Sequence, residues 1–312
     1  MKRPQKETKP KARPEKGRNA LKIMLWIIIG ILTPAVLIGI YLLAGMNNRL
    51  EITHYEVKTG KLKGRIRLVQ VSDLHSNFYG EGQEAILTAV FNEEPDAVVI
   101  TGDLFDHRMT ADGAEAFLKG VSGKVPVYYV TGNHEYYKGF QTYLKHMDVL
   151  ERYEVRRLSG QAYVLQKDGD QIWIAGVDDH YAGKMKGTQA EWITTGFQNE
   201  MKAVKAITDD GHFSVLLSHR PEKMEDYAAY GFDLVLSGHA HGGQWRIPGT
   251  NQGIYAPGAG LFPKYTGGTI YEADDTKMIV SRGLARDALY QPRAFNRPEL
   301  VVIDLIGEEA GE

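Results

Sequence analysis

The pattern of hydrophobic and polar positions divides the chain at about residue 46. Residues 23–46 contain no charged side chain, and a helix of that length crosses a hydrocarbon core of roughly 30 Å. The pattern predicts one transmembrane helix. A cleaved signal peptide is the alternative, because it also places a basic region before an apolar one. A retained anchor is favoured, since the stretch is longer than a signal-peptide core and its end, LLAGMN, is a poor cleavage site.

After residue 50 the apolar positions fall into short runs rich in Val, Ile and Leu. Five of these runs have the continuous apolar character of strands buried on both faces: RIRLVQV, DAVVI, VPVYYV, FSVLL and FDLVL. Helix-like segments such as EAILTAVFNEE lie between several of them, and strands that alternate with helices predict a layered α/β fold. A second group of strand-like segments has few helical spacers and predicts a further mixed or antiparallel sheet.

Composition and charge narrow the function classes. The 312 residues are 43% hydrophobic with a net charge of −2, so a folded globular protein is expected and no nucleic-acid partner is indicated. The absence of cysteine excludes disulfides, thiolate metal sites and cysteine nucleophiles. The first 22 residues hold nine Lys or Arg and only two Glu. They predict a disordered tail on the cytoplasmic side, followed by the membrane helix 23–46 and one extracytoplasmic domain, 47–312.

Each of the five buried runs is followed by residue types that bind metals. The segments are SDLH, TGDLFD, TGNHE, SHRP and SGHAHGG. The carboxyl ends of strands in open α/β sheets meet at one crevice, so these segments are expected to lie together. Singly, each is ordinary turn chemistry or a hydrogen-bonded histidine. Five in succession, holding five of the ten histidines, indicate a site.

The ordered series DLH, GDLFD, GNHE, SH and GHAH resembles the calcineurin-like metallophosphoesterases, whose pattern is DxH, GDxxD, GNHE, H and GHxH. The resemblance covers residues 65–303. GHAHGGQ, LFPKY and SRGL are similar to a bacterial membrane-anchored or exported subgroup, and to UDP-diacylglucosamine hydrolases. Many members have Thr at the position of Ala240. The resemblance implies a four-layer α/β/β/α sandwich of two mixed β-sheets flanked by helices, preceded here by one transmembrane helix.

The same resemblance implies two divalent metal ions and their ligands. These are Asp73, His75 and His241 for the first ion, Asn133, His219 and His239 for the second, and Asp103 bridging both. Carboxylate, imidazole and amide groups suit Mn²⁺, Fe or Zn²⁺. Mn²⁺ is favoured, although the ligands alone do not identify the metal.

The implied activity is hydrolysis of a phosphodiester, pyrophosphate or phosphomonoester by in-line attack of a metal-bridging hydroxide. In the family's pattern His134 is the general acid, Asp106 orients it, and Glu135 is either a supporting residue or a structural one. The candidates for contacting the substrate are Asn133, His239, Arg220, Lys264 and Arg282.

Several alternatives stay open from the sequence. A catalytically inactive metal-binding scaffold or sensor at the membrane is the second function class, although the complete ligand set favours an enzyme. DDHY at 178–181 is interpreted as a surface turn, and His107 and His146 as structural residues. Phe262 and Tyr265 either line an apolar lip or pack. The substrate class, whether envelope-derived, lipid-linked or nucleotide-derived, and the oligomeric state are not determined.

Overall fold

A computed structural model describes residues 16–184, 195–286 and 293–308, and the chain divides between Gly45 and Met46 into two compact units. The first unit contains helix α1, Lys16–Gly45. Within it Asn19–Tyr41 is a candidate membrane span by length and composition. The prediction of a disordered tail up to residue 22 is wrong for residues 16–22, because extending an existing helix avoids the cost of nucleation. Residues 1–15 of that tail lie outside the described residues.

The second unit contains strands and helices that alternate in its first half. The strands are β1 (Glu51–Thr59), β2 (Arg65–Val71), β3 (Ala97–Thr101), β4 (Val127–Val130), β5 (Arg156–Arg157), β6 (Gln161–Lys167), β7 (Asp170–Gly176), β8 (Phe213–Leu217), β9 (Leu234–Ser237), β10 (Tyr255–Ala256), β11 (Gly260–Leu261), β12 (Ile270–Ala273), β13 (Thr276–Val280) and β14 (Glu299–Gly307). The α-helices are α2 (Glu84–Asn92), α3 (Asp112–Val121), α4 (Phe140–Arg152), α5 (Phe197–Thr208) and α6 (Met224–Tyr230).

Two six-stranded mixed sheets form the centre of this unit. Their strand orders are β1-β14-β2-β3-β4-β5 and β12-β13-β9-β8-β7-β6, and β10 pairs with β11 in a separate hairpin. Strands β2 to β5 run parallel, as do β7, β8, β9 and β13. In the first sheet β14 pairs antiparallel with β2 and parallel with β1, and the antiparallel pairs β12–β13 and β6–β7 complete the second sheet. The predicted second sheet is confirmed, but two of the five buried runs, β8 and β9, belong to it, and ELVVIDL from the second group of segments forms β14 of the first sheet.

The hydrophobic core lies in three layers that separate the sheets and helices. Residues of both sheets, such as Leu68, Val99 and Leu234, form the central cluster. The outer face of the first sheet packs on α2, α3 and α4, and the outer face of the second packs on α5 and α6. The buried strands are covered on both faces, which explains their continuous apolar sequence. The predicted four-layer sandwich is confirmed.

Strand register places the loops that follow the central strands side by side. Val71 pairs with Ile100, and Thr101 pairs with Val130 in the first sheet. In the second sheet Leu217 pairs with Leu236. The parallel strands of each sheet therefore end at one level, and the polar segments that follow them are held at one edge.

Candidate metal centre

Buried aspartate and histidine side chains from the loops after β2, β3, β8 and β9 converge at this edge. Oδ2 of Asp103 lies 3.6 Å from Nε2 of His75 and 3.2 Å from Nε2 of His219. Nε2 of His241 lies 3.4 Å from Oδ1 of Asp73. One group suited to a metal ion contains Asp73, His75, Asp103 and His241, and a second contains Asp103, His219 and His239. Asp103 belongs to both groups, as a bridging ligand would.

Several ring nitrogens and one carboxylate oxygen in this centre lack hydrogen-bond partners among the described residues: His75 Nε2, Asp103 Oδ2, His219 Nε2 and His241 Nδ1. A buried polar atom without a partner costs about 1–3 kcal/mol. The other nitrogens of two of these rings are held in place: Nδ1 of His75 by Oδ2 of Asp106 at 3.0 Å, and Nδ1 of His219 by the carbonyl of Thr101 at 2.7 Å. Such bonds leave the Nε2 lone pairs pointing into the centre, where a cation would satisfy them.

The backbone at the candidate ligands is strained. The φ angles of five of them lie between 47° and 62°, a left-handed region that non-glycine residues rarely adopt: Asp73, His75, Asp103, His239 and His241. Strain of this kind costs of order 1–3 kcal/mol per residue and persists only where the surrounding structure imposes it. The spacing of two positions between ligands in DLH and HAH is therefore produced by tight turns and not by extended strand ends.

Two glycines allow these turns to pass close to the ligands. A Cβ at Gly132 would lie 2.1 Å from Oδ1 of Asp103, and a Cβ at Gly238 would lie 2.4 Å from Oδ2 of Asp73. Neither contact is sterically possible, so both positions require glycine for packing.

The charges at the centre suit cation binding. Burial alone would raise the pKa of Asp103, but the neighbouring His219 and His134 outweigh it and hold this pKa well below its usual range. Burial lowers the pKa of His219, yet the charge of Asp103 raises it to about 10. A bound metal would replace that proton. Burial and neighbouring cations lower the pKa values of His239 and His241, which keeps both imidazoles in their neutral, ligating form.

Arg220 contacts the remaining candidate ligands. Its Nη1 donates to Nε2 of His239 at 2.7 Å, and its Nη2 donates to Oδ1 of Asn133 at 3.2 Å. The amide of Asn133 is oriented by a bond from Nδ2 to the hydroxyl of Tyr137 at 2.7 Å. The carboxylate of Asp179 accepts from Nε of Arg220 at 2.5 Å.

The interpretation of DDHY as a surface turn is wrong for its two aspartates. Asp178 and Asp179 are each only 2% exposed. Asp178 accepts from Arg157 and from the hydroxyl of Thr131, and thereby supports the loop after β4. Asp179 holds Arg220 against the candidate ligands. In the sequence, these two acids directly follow the strand-like IWIAGV, just as the metal-binding residue types follow the other buried runs. Their position after a strand could therefore have identified them as part of the site.

His134 and Asp106 lie beside the first group of ligands. Oδ2 of Asp106 accepts from Nδ1 of His134 at 3.1 Å as well as from His75. The structure adds His107, which the sequence reasoning left as structural, because its Nδ1 lies 3.0 Å from Nδ1 of His134. Burial alone would lower the pKa of His134, but Asp103 and the hydrogen bond to Asp106 raise it. His134 is therefore held in one orientation with its Nε2 available.

Glu135 connects two of the ligand loops. Its carboxylate accepts hydrogen bonds from the backbone N–H groups of Asp103 at 3.2 Å, Phe105 at 3.1 Å and Gly132 at 2.7 Å. Burial, followed by the charge of Asp103, raises the pKa of Glu135 to about 7. Through these contacts Glu135 fixes the loops after β3 and β4 to each other.

The two remaining candidates for substrate contact differ in their surroundings. Arg282 donates to Glu299 at 2.9 Å and pairs with Glu51 at 3.4 Å, so its guanidinium is turned to these acids. Lys264 is exposed and lines a cavity of about 320 Å³ that begins at His239. The cavity walls are mainly apolar and come from three segments: Pro221, Ala240, Ala256, Pro257, Ala259, Phe262, Pro263 and Tyr265.

Comparison with known proteins places this centre in a family. The model of the calcineurin-like phosphoesterase family matches residues 66–243. An uncharacterized metallophosphoesterase from Aquifex aeolicus is 33% identical over 275 residues, 83% of this chain and 93% of its own length. Another from Campylobacter jejuni is 28% identical over 292 residues, 88% of this chain and 69% of its own length. A bovine (Bos taurus) transmembrane protein with a metallophosphoesterase domain is 31% identical over 75% of this chain and 52% of its own length.

Proposed function

Because the chain belongs to the calcineurin-like phosphoesterase family, we propose that it uses two divalent metal ions, Mn²⁺ being favoured, to hydrolyse a phosphodiester, pyrophosphate or phosphomonoester. The observation that carries this proposal is the convergence of buried carboxylate and imidazole groups after four central strands. Four of their polar atoms, His75 Nε2, Asp103 Oδ2, His219 Nε2 and His241 Nδ1, lack partners among the described residues. Two ions would neutralise the phosphoryl oxygens and lower the pKa of the attacking water.

The ligand assignment follows the two groups. Asp73, His75 and His241 would hold the first ion, and Asp103 would contact both. His219, His239 and Asn133 would hold the second, and Asn133 and His239 would also help to place the phosphate. Arg220 and Lys264 are the cationic side chains nearest to the path from this centre into the cavity.

His134 is the proposed general acid. Asp106 fixes the Nδ1 side of its ring, so the Nε2 side is left for the leaving oxygen. A raised pKa keeps the imidazolium form available to give a proton. Asp106 acts as a positioning residue for both His134 and His75, which ties the acid to the first group of ligands.

The cavity beside His239 is the proposed site for an uncharged part of the substrate. Its alanine, proline and aromatic walls offer few hydrogen-bond donors, and its carboxylates and Lys264 lie along the polar side. Removing apolar surface from water contributes roughly 25 cal/mol per Å². A phosphoester that carries an apolar substituent is therefore the substrate that fits the cavity.

The full-length protein in detergent tests the proposed activity. With Mn²⁺ it is expected to hydrolyse bis-p-nitrophenyl phosphate, and a chelator is expected to abolish the reaction. Asp103→Asn should lose activity, since the amide cannot bridge two cations. Inactivity with Mn²⁺, Zn²⁺ and Fe²⁺ against diesters, monoesters and pyrophosphates would overturn the enzymatic proposal and favour a metal-binding scaffold or sensor.

We also propose that helix α1 anchors the chain in the cell membrane as a single span. In this arrangement residues 1–22 are a cytoplasmic tail, 23–46 the membrane helix and 47–312 an extracytoplasmic domain. The nine basic residues before the apolar stretch support this orientation. Alkaline phosphatase fused to the C-terminus should be active and a fused green fluorescent protein dark. The opposite pair of results would reverse the orientation.

A further inference from the structure

Arg220 donates hydrogen bonds to two of the candidate ligands of the second metal ion. Its Nη1 lies 2.7 Å from Nε2 of His239, and its Nη2 lies 3.2 Å from Oδ1 of Asn133. A guanidinium group only donates hydrogen bonds. Nε2 of His239 must therefore be the acceptor, and its proton must sit on Nδ1.

The hydrogen bond from Arg220 leaves the ring of His239 without a free lone pair for a metal ion. A neutral imidazole has one lone pair, and at Nε2 that lone pair is directed at Arg220. Asn133 retains a second lone pair on its oxygen, but a dication beside the guanidinium would meet a like charge within a few ångströms. The second ion and Arg220 in this position are mutually exclusive.

Arg220 is held in this position by its own partners. Its Nε and Nη2 donate to the two carboxylate oxygens of Asp179 at 2.5 and 3.3 Å, and Glu222 lies 3.5 Å from Nη1. The side chain is only 8% exposed. In the first group, by contrast, His75 Nε2 and His241 Nδ1 have no hydrogen-bond partner among the described residues. The first metal position therefore has ligand atoms without a protein partner, whereas His239 and Asn133 of the second position are hydrogen-bonded to Arg220.

We propose that Arg220 competes with the second metal ion for His239 and Asn133 and makes the two ions bind in separate, unequal steps. The first ion binds at Asp73, His75, Asp103 and His241 without displacing a protein group. The second binds only when Arg220 turns away from His239 and Asn133. This inference rests on the proposed function, because it assumes that the cluster binds metal ions.

Metal binding by the full-length protein tests this proposal without an activity assay. Replacing Arg220 alone would leave Asp179 as a buried carboxylate without its cation, which is strongly destabilising. The principal variant is therefore Arg220→Met with Asp179→Asn, which removes both charges. Lys223→Met is the matched control, since it removes a nearby positive charge that pairs with Asp226 at 3.1 Å and does not contact the ligands.

Calorimetric titration with Mn²⁺ should resolve one tight and one weak step in the wild type and in the control. In the double variant the second step should tighten by about ten- to hundredfold, the range expected for releasing hydrogen bonds to a charged group. Its electron paramagnetic resonance spectrum should show a spin-coupled Mn²⁺ pair at lower metal concentration. Equal affinities in the wild type, or an unchanged second step in the double variant, would overturn the proposal. If no variant binds any ion, the proposed function fails as well.

Discussion

Asp106 and His134 are joined by a hydrogen bond of 3.1 Å between Oδ2 of the carboxylate and Nδ1 of the imidazole. The same oxygen accepts from Nδ1 of His75, so one carboxylate fixes both the proposed acid and a candidate ligand. The carboxylate is itself fixed by the backbone N–H of Arg108, which donates to Oδ1 at 2.6 Å. The proposed acid and the first group of candidate ligands therefore share one carboxylate that orients them.

Removing the proposed acid should have an effect that depends on the leaving group. His134→Ala is expected to reduce kcat by about 10²-fold or more for an alkyl phosphodiester, since an alkoxide needs a proton to depart. The loss should be much smaller for p-nitrophenyl esters, whose leaving group departs as an anion. Steady-state rates on both substrates check this prediction. An equal loss on both would mean that His134 acts in another way.

Asp106→Asn should lower kcat for the alkyl phosphodiester and should also weaken metal binding. The amide can still accept from one ring, but it lacks the charge that favours the imidazolium of His134 and orients His75. We expect a lower kcat on the alkyl ester and a weaker first Mn²⁺ step in calorimetry. A lower kcat with unchanged Mn²⁺ affinity would limit the role of Asp106 to His134.

Gly238→Ala should weaken binding of the first metal ion and also lower the stability of the fold. The added Cβ would lie 1.9 Å from Oγ of Ser72 and 2.4 Å from Oδ2 of Asp73, so the candidate ligand must move. Gly60→Ala is the control, because no atom lies within 4 Å of the Cβ there. Bound Mn²⁺ should fall below half of the wild-type content in Gly238→Ala and stay normal in the control. Normal metal content in both variants would show that the ligand tolerates the displacement.

His146 should make the folded protein sensitive to mild acid. Its ring stacks on Phe105 at 4.2 Å, its Nδ1 has no hydrogen-bond partner among the described residues, and burial lowers its pKa to about 4. The unfolded chain has a histidine pKa of about 6.5. As the pH falls through this range, the unfolded state binds the proton first, so stability is complete above about pH 6.5 and decreases towards pH 4.

Urea unfolding at pH 7 and pH 5 measures this contribution. The wild type should lose about 2 kcal/mol from this residue between the two values, and His146→Leu should lose correspondingly less. His212→Gln is the control, because that side chain is 46% exposed and contacts Asp210 at the surface. An identical pH dependence in wild type and His146→Leu would contradict the assignment.

The sequence predicted the parts of the fold that depend on continuous burial. Strands β2, β3, β4, β8 and β9 are covered on both faces, so their apolar runs were visible without the structure. Their assignment to two sheets was not visible, because an apolar run carries no information about which neighbour it pairs with. The candidate membrane span was also evident from composition, but the start of its helix at Lys16 was not, since charged residues extend a helix that apolar residues have begun.

The candidate site was predicted as a set of residues but not as an arrangement. The strand-end segments identified the groups that converge, because parallel strands end together. The positive φ angles at Asp73 and His239 could not be foreseen, since they result from packing and not from the preferences of Asp or His. The roles of Asp179 and His107 were missed for a related reason. Asp179 acts through Arg220, which is distant in sequence. His107 acts through His134, whose orientation is set by the fold.

The cavity beside His239 should give the enzyme a preference for phosphoesters with an apolar substituent. Octyl and methyl p-nitrophenyl phosphate share a leaving group and differ only in the part that would occupy the cavity. Each buried methylene contributes about 0.8 kcal/mol. If only two or three methylenes are buried, the wild type should prefer the octyl ester in kcat/KM by more than tenfold.

Ala259→Leu tests whether this cavity is responsible for the preference. Ala259 lines the cavity on the β10–β11 hairpin, where Leu261 and Phe262 are 69% and 61% exposed. A larger side chain there should raise KM for the octyl ester several-fold and leave the methyl ester unchanged. Ala203→Leu, on the exposed face of α5, should change neither. If Ala259→Leu lowers kcat/KM for both esters equally, the cavity does not select the substrate, and the substituent must be bound on the side of His134 and Tyr137.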